Sequence, residues 1–185
     1  VKFQLFNPNK LVIPNTKMAK YQSKNLKKNI SQYQMLKKLT LTQSEIYKIF
    51  KYCNKKKIKF LATAFDVENL KYLLKLGMDF IKIPSGDITN GQLLEFIKKR
   101  KEKTILSTGA SNMQEVITAT KYLNKKKGKL ILLHCSSSYP AKLNELNLKV
   151  ISSYKNFFNC EVGYSDHSLS LVTPVIAVSL GATII

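Results

Sequence analysis

The sequence predicts an α/β fold made of parallel βαβ units, and more narrowly a TIM (β/α)8 barrel that is incomplete. Three observations lead there. Runs that are apolar throughout alternate with helical patterns at a spacing of roughly 20 to 32 residues, as expected of strands covered on both faces. No GxGxxG follows the first strand, so an open dinucleotide-binding sheet has no support. Nearly every strand ends in a polar group, and a barrel brings such ends to one mouth, where its chemistry sits.

Val1 to Phe6 alternates as a strand, which Asn7-Pro8-Asn9 ends. The polar, Lys/Asn/Gln-rich stretch to about Thr40 reads as a long excursion loop with a short helix around Tyr33 to Leu39. Thr42 or Ser44 can cap a helix that places Ile46, Ile49, Phe50 and Cys53 on one face. Phe60 to Phe65 is a strand, and Asp66 caps a helix from Val67 to Leu76 that Gly77 stops. The strand Phe80 to Ile83 breaks at Pro84-Ser85-Gly86 and is followed by a helix from about Gly91 to Lys101. Thr104 to Leu106 runs into Ser107-Thr108-Gly109, and Ser111 with Gln114 forms a capping box for a helix through Leu123. Leu130 to Leu133 ends at His134-Cys135; a helix near Leu146 to Phe157 then leads to the strand Glu161 to Tyr164. A last helix, about Leu171 to Leu180, is closed by Gly181, and Thr183 to Ile185 begins one more strand. Six strands and the start of a seventh are countable, where a full barrel takes eight and about 250 residues.

With 185 residues and 44% hydrophobic content the chain suits one globular domain. Its net charge of +20 raises the possibility of a polyanion partner. Against nucleic acid, the charge is almost all lysine, with Arg100 the single arginine, and base or phosphate recognition favours the guanidinium fork. The lysines also fall in short runs, at 55–57, 98–101 and 125–127, where helix C-termini are expected and cations complement the dipole. The expected field would still draw in a small anionic substrate. Three cysteines without a CxxC pair point to a reducing, cytoplasmic setting, and no run is long enough to span a membrane.

Lys82 is the most informative single residue. A lysine flanked by Ile81 and Ile83 in a buried strand is expensive to desolvate without an anionic partner, unless it snorkels to the rim. Ser85-Gly86 follows at once, and Ser107-Thr108-Gly109 repeats the chemistry on the next strand, with Lys2 a second inward ammonium. Lysine, hydroxyl and glycine N–H groups together make a phosphate or carboxylate cradle. Gly163-Tyr164-Ser165-Asp166-His167 reads either as half of a divalent-metal site or as a capped turn with a structural histidine. Nucleophilic catalysis fits poorly. His134 and Cys135 point to opposite faces of a strand, one of them into core, and the consecutive Ser165-Asp166-His167 lacks triad geometry. No catalytic residue is assigned.

These blocks together resemble the sialic acid synthase (N-acetylneuraminate synthase) family, including the legionaminic and pseudaminic acid synthases. The matching segments are Lys2-Phe3-Gln4, Leu39 to Asp66 ending in Ala62-Thr63-Ala64-Phe65-Asp66, Lys82 to Asn90, Leu106 to Gly109, Leu133-His134-Cys135 with Tyr139-Pro140, Gly163 to His167, and Ala177 to Ala182. They occur in family order across nearly the whole chain. The resemblance implies a TIM barrel that condenses phosphoenolpyruvate with an N-acetylated amino sugar such as N-acetylmannosamine, using Mn²⁺ or Mg²⁺. It implies that Lys2, Thr63, Lys82, Ser85, Ser107, Ser137 and Ser165 hold phosphoenolpyruvate. Gln4, Asp87 and Tyr139 would face the sugar and His167 would be a metal ligand. Ser137 is a departure, since the sialic acid branch commonly has Asn there. By the same resemblance, residues 1–185 would be a partial synthase barrel, lacking the family's first strand, its second metal histidine and its C-terminal antifreeze-like domain. The full-length protein would be a homodimer. The alternatives are a legionaminic or pseudaminic acid synthase, or a catalytically inactive fragment.

Overall fold

A computed structural model describes residues 1–26 and 30–185. The chain divides into two units, Val1–Met78 and Asp79–Ile185.

In the first unit β1 (Lys2–Leu5) and β2 (Leu61–Ala64) pair in parallel, with Gln4 opposite Thr63. Between them run α1 (Pro8–Leu11), α2 (Lys20–Leu26), α3 (Gln32–Leu39) and α4 (Gln43–Lys55), and α5 (Val67–Lys75) follows β2. The expected excursion loop is therefore largely helical, and its Lys27, Lys28 and Asn29 lie outside the described residues. Short local caps make this possible with few apolar anchors. The Asn7 side chain accepts from the Asn9 N–H, and Ser31 with Gln34 forms a complete capping box. Thr42, not Ser44, caps α4 through a box with Glu45. Asp66 caps α5, and Gly77 at φ +95° stops it as expected. Ile46, Ala62, Leu70 and Leu73 form the buried centre, and Phe60 stacks on Phe3 with centroids 5.8 Å apart.

The second unit is a parallel sheet in the order β3 (Phe80–Ile83), β4 (Lys103–Ser107), β5 (Leu130–Cys135) and β6 (Glu161–Ser165). Its helices are α6 (Gly91–Lys98), α7 (Met113–Leu123), α8 (Val150–Phe157) and α9 (Thr173–Ser179). All six residues of β5 are buried, because a central parallel strand is covered on both faces. The expected barrel is thus seen as two parallel sheets of two and four strands, and no closed barrel is found among the described residues. Six strands are assigned among the described residues, and closure takes eight.

Several boundaries move. The box that starts α7 is Asn112 with Glu115, not Ser111 with Gln114, and its N3 carboxylate lies at the positive end of the helix. α6 stops at Lys98, with Lys99 as its cap. A 3₁₀ turn, Leu143–Glu145, precedes a shorter α8. Thr183 to Ile185 is not assigned as a strand, yet the Thr183 N–H donates to Val162 O and Ile184 O accepts from the Tyr164 N–H, at 2.9 and 2.8 Å. The lysine runs lie at helix ends as expected. The Lys125 ammonium reaches back to the C-terminal end of α6 and donates to the carbonyls of Ile97 and Arg100 at 2.7 and 2.6 Å. Among the described residues no helix is long and apolar enough to cross a membrane.

Candidate functional site at the strand ends

Strand parity sorts the polar residues of the second unit. The parallel register aligns Lys82 with Ile105, Ser107 with Leu133 and Cys135 with Ser165. Side chains alternate along a strand, so Lys82, Ser107, Cys135 and Ser165 share one face, at or near the C-terminal ends. His134 and Tyr164 take the opposite, helix-covered face.

Lys82 donates to the Ser107 hydroxyl at 2.6 Å, so the buried-strand lysine has a polar partner and does not snorkel alone. Ser85 lies in a 3₁₀ turn, Ser85–Asp87, directly after β3. Its hydroxyl accepts from the Gly109 N–H at 2.9 Å and lies 3.2 Å from the Cys135 sulfur. Gly109 is glycine for space. A β-carbon there would sit 2.7 Å from Ser137 Oγ, 2.8 Å from Cys135 Sγ and 3.0 Å from Ser85 Oγ. Three polar side chains thus close over one bare backbone position, and Lys82 shares the strand face of Cys135, which is the chemistry of an anion cradle. Thr108 does not join it. Its hydroxyl donates to Leu133 O and accepts from the buried Tyr154 OH, on the helix side.

Asp87 contributes an acceptor. Its Oδ1 accepts from the Asn90 amide at 3.0 Å, while Oδ2 is buried with no hydrogen-bond partner among the described residues. Burial pushes this carboxyl above the usual range, and the Asn90 bond offsets part of that. An orphan acceptor fits a ligand that brings hydroxyl or amide donors.

Further along, the His167 ring has Nδ1 against the Ser136 carbonyl at 2.5 Å. Its Nε2 faces the Tyr139 OH at 3.1 Å and the Ser165 hydroxyl at 3.3 Å, and the Tyr139 ring stacks on it with centroids 4.1 Å apart. A carbonyl can only accept, so Nδ1 carries the proton and Nε2 keeps its lone pair, the arrangement of a metal-ligating histidine. His167 thus fits one donor of a divalent-metal site. The described residues hold no group of three His, Cys, Asp or Glu that would complete one. Asp166 is engaged by hydrogen bonds. Burial alone would raise its carboxyl, but bonds from Thr173, Ser168 and Tyr164 outweigh that and hold it below the usual range.

The expected ligands therefore divide. Lys82, Ser85, Asp87, Ser107, Ser137, Tyr139, Ser165 and His167 all belong to the second unit. Lys2, Gln4 and Thr63 belong to the first, where the register puts Gln4 beside the buried Thr63, with Lys2 two residues earlier on the same face. His134 is core, as the parity argument requires of one of the pair. Its Nε2 lies 2.7 Å from Leu146 O, its ring stacks near Tyr164, and burial lowers its pKa. Sequence reasoning placed Gly109 in the cradle but missed Cys135. Parity put one of His134 and Cys135 in the core, and the register with β6 shows that Cys135 is the one on the site face.

The NeuB family model matches residues 1–185. The chain is 39% identical over 190 residues to the N,N'-diacetyllegionaminic acid synthase of Legionella pneumophila, covering 100% of this chain and 53% of that protein. It is 42% identical over 188 residues to the N,N'-diacetyllegionaminic acid synthase of Campylobacter jejuni, covering 100% and 56%. Among solved structures, the N-acetylneuraminic acid synthetase of Leptospira borgpetersenii in complex with citrate superposes with a TM-score of 0.83 at 34% identity, over 99% of this chain and 59% of that one. The chain spans a little over half the length of these relatives.

Proposed function

The chain belongs to the NeuB family, and from that premise we propose that it carries phosphoenolpyruvate-binding strand ends of a nonulosonic acid synthase. The reaction joins phosphoenolpyruvate to an N-acetylated amino sugar and releases phosphate. The observation that carries this reading is the cradle itself: Lys82 on Ser107, and Ser85, Cys135 and Ser137 gathered over Gly109. Such a site suits a ligand with both phosphate and carboxylate.

In the reaction the enol carbon of phosphoenolpyruvate forms a bond to the aldehyde carbon of the open-chain sugar. The aldehyde oxygen takes a proton to become a hydroxyl. Water then adds to the former enol C2 and loses one proton, which balances that taken by the sugar oxygen; the C2–O bond to phosphate breaks as C2 becomes a ketone, and its hydroxyl proton leaves with the phosphate. Lys82, with Ser85, Ser107 and Ser137, would hold the phosphate and carboxylate charge and keep the enol in register. Ser165 would contact the same ligand, and Lys2 and Thr63 are assigned to it by family position. Asp87 Oδ2 would accept from a sugar hydroxyl or amide, with Tyr139 and Gln4 as further sugar contacts. His167 Nε2 would be one donor to Mn²⁺ or Mg²⁺, and a divalent ion there would supply Lewis-acid polarisation of the aldehyde.

The names of the relatives at 39% and 42% identity favour a doubly acetylated sugar over N-acetylmannosamine. We place the protein in the cytoplasm, where its unpaired cysteines would stay reduced, and as a homodimer. The test is incubation with phosphoenolpyruvate, Mn²⁺ and each sugar class. It is run on this chain and on a protein extended to the relatives' length, following phosphate release and product mass. Phosphate released together with a sugar–pyruvate adduct supports the reading. No adduct with any sugar in either protein overturns it.

A further inference from the structure

Asp166 has no assigned role in the site, yet its carboxylate gathers three elements. Oδ1 accepts from the Tyr164 OH at 3.1 Å and the Ser168 N–H at 2.8 Å, and Oδ2 accepts from the Thr173 hydroxyl at 2.6 Å. Tyr164 is a fully buried residue of β6, stacked near His134, and Thr173 is the buried first residue of α9. Ser168 Oγ and Thr173 Oγ1 close the ring at 2.9 Å. Apolar burial does not hold this loop, since Leu169 and Leu171 are 86% and 92% exposed. On its other side the loop is tied by two bonds of His167: the ring to Ser136 O, and its own carbonyl accepting from the Ala141 N–H at 2.8 Å.

We propose that Asp166 is the positioning residue of His167: by clamping Tyr164, Ser168 and Thr173 it fixes the β6–α9 loop so that the imidazole Nδ1–H meets the Ser136 carbonyl and the Nε2 lone pair faces the Tyr139 and Ser165 hydroxyls. This rests on reading His167 as a metal ligand. The carboxylate acts through the backbone of its own loop, touching neither substrate nor metal. Outer partners of this kind set the tautomer and orientation of a ligating histidine, and losing them typically weakens metal binding about 10- to 100-fold.

The chain has two histidines, which makes the test direct. Long-range ¹H–¹⁵N spectra of the ¹⁵N-histidine-labelled chain read the tautomer of each ring, and added Mn²⁺ reads ligation by line broadening. In the wild type His167 is expected as the Nδ1–H tautomer and broadens with Mn²⁺, while buried His134 serves as the internal standard. Asp166→Ala and Thr173→Val are each expected to give a mixed His167 tautomer and to need roughly tenfold more Mn²⁺ for the same broadening. His134 should keep its signals, and Thr173→Ser, which restores the hydroxyl, should recover both readouts. If Asp166→Ala fails to fold, Thr173→Val decides. The wild-type tautomer and Mn²⁺ response persisting in Thr173→Val would overturn the proposal, as would changes only in step with loss of the His134 signals. Should the wild-type His167 ignore Mn²⁺, the metal reading fails, and the tautomer comparison still judges the role of Asp166.

Discussion

Replacing Gly109 with alanine probes the cradle at its tightest point. The backbone there is not left-handed, so alanine meets no conformational penalty, and the whole effect is steric. The new methyl would lie 2.7, 2.8 and 3.0 Å from Ser137 Oγ, Cys135 Sγ and Ser85 Oγ, where ordinary contact starts at 3.4 Å. Ser137 is exposed and can turn away, whereas Cys135 is buried and Ser85 is tied to the Gly109 N–H. Overpacking of this kind costs about 1–3 kcal/mol, and the mobile Ser137 puts the expected value near the lower end. At about 2–4 °C per kcal/mol for a chain of this size, Tm should fall by roughly 2–8 °C. Phosphoenolpyruvate affinity should fall further, by at least about tenfold or 1.4 kcal/mol, because the methyl sits among the hydroxyls that would meet the phosphate. Scanning calorimetry gives the first quantity and titration calorimetry the second. Gly91→Ala is the control, since nothing lies within 4 Å of its β-carbon. If Gly109→Ala binds phosphoenolpyruvate as the wild type does, the space above Gly109 is not the anion site.

Asp87→Asn should stabilise the chain at neutral pH by about 1 kcal/mol, since it removes a half-buried charge with an unpartnered oxygen, while abolishing sugar condensation. A fall in Tm would mean that Oδ2 is satisfied after all. Lys125→Met removes two charge-assisted bonds to the end of α6 and should cost about 2 kcal/mol, against less than about 0.5 kcal/mol for the exposed neighbour Lys126→Met; equal melting curves would contradict this. The lowered pKa of His134 has a defined consequence for pH dependence. Below its ordinary value of 6.5 the unfolded chain binds a proton that the native chain resists, so this contribution to stability is complete above pH 6.5 and is lost as pH falls toward the depressed native value. A denaturant series should show that loss in the wild type and a smaller one in His134→Gln; identical slopes would contradict it.

Much of the second unit was legible because its rules are local. Apolar runs such as Leu130–Cys135 read as covered strands in this alternating pattern, and parity puts His134 and Cys135 on opposite faces, one of them in the core. The lysine runs were legible too, since helix ends attract cations. In the stretch from Asn7 to Thr40 the helix around Tyr33 to Leu39 was legible and is α3, whereas α1 and α2 were not, and α1 rests on a local cap, the Asn7 side chain on the Asn9 N–H. The packing around Gly109 and the clamp at Asp166 were not legible. Both depend on which loops meet in space, Ser85 with Gly109 and Thr173 with Asp166, and pattern along the chain does not encode that.

An anion cradle for phosphoenolpyruvate built on Lys82 can be tested by titrating phosphoenolpyruvate into the wild-type chain and into Lys82→Met while recording both melting curves. Loss of a charge-assisted hydrogen bond is worth about 1.5–3 kcal/mol, or roughly 10- to 150-fold in affinity. Saturable binding to the wild type is expected, weakened by that factor in Lys82→Met, with the fold retained. Equal affinity in the two proteins, or no binding to a folded wild-type chain, would contradict it.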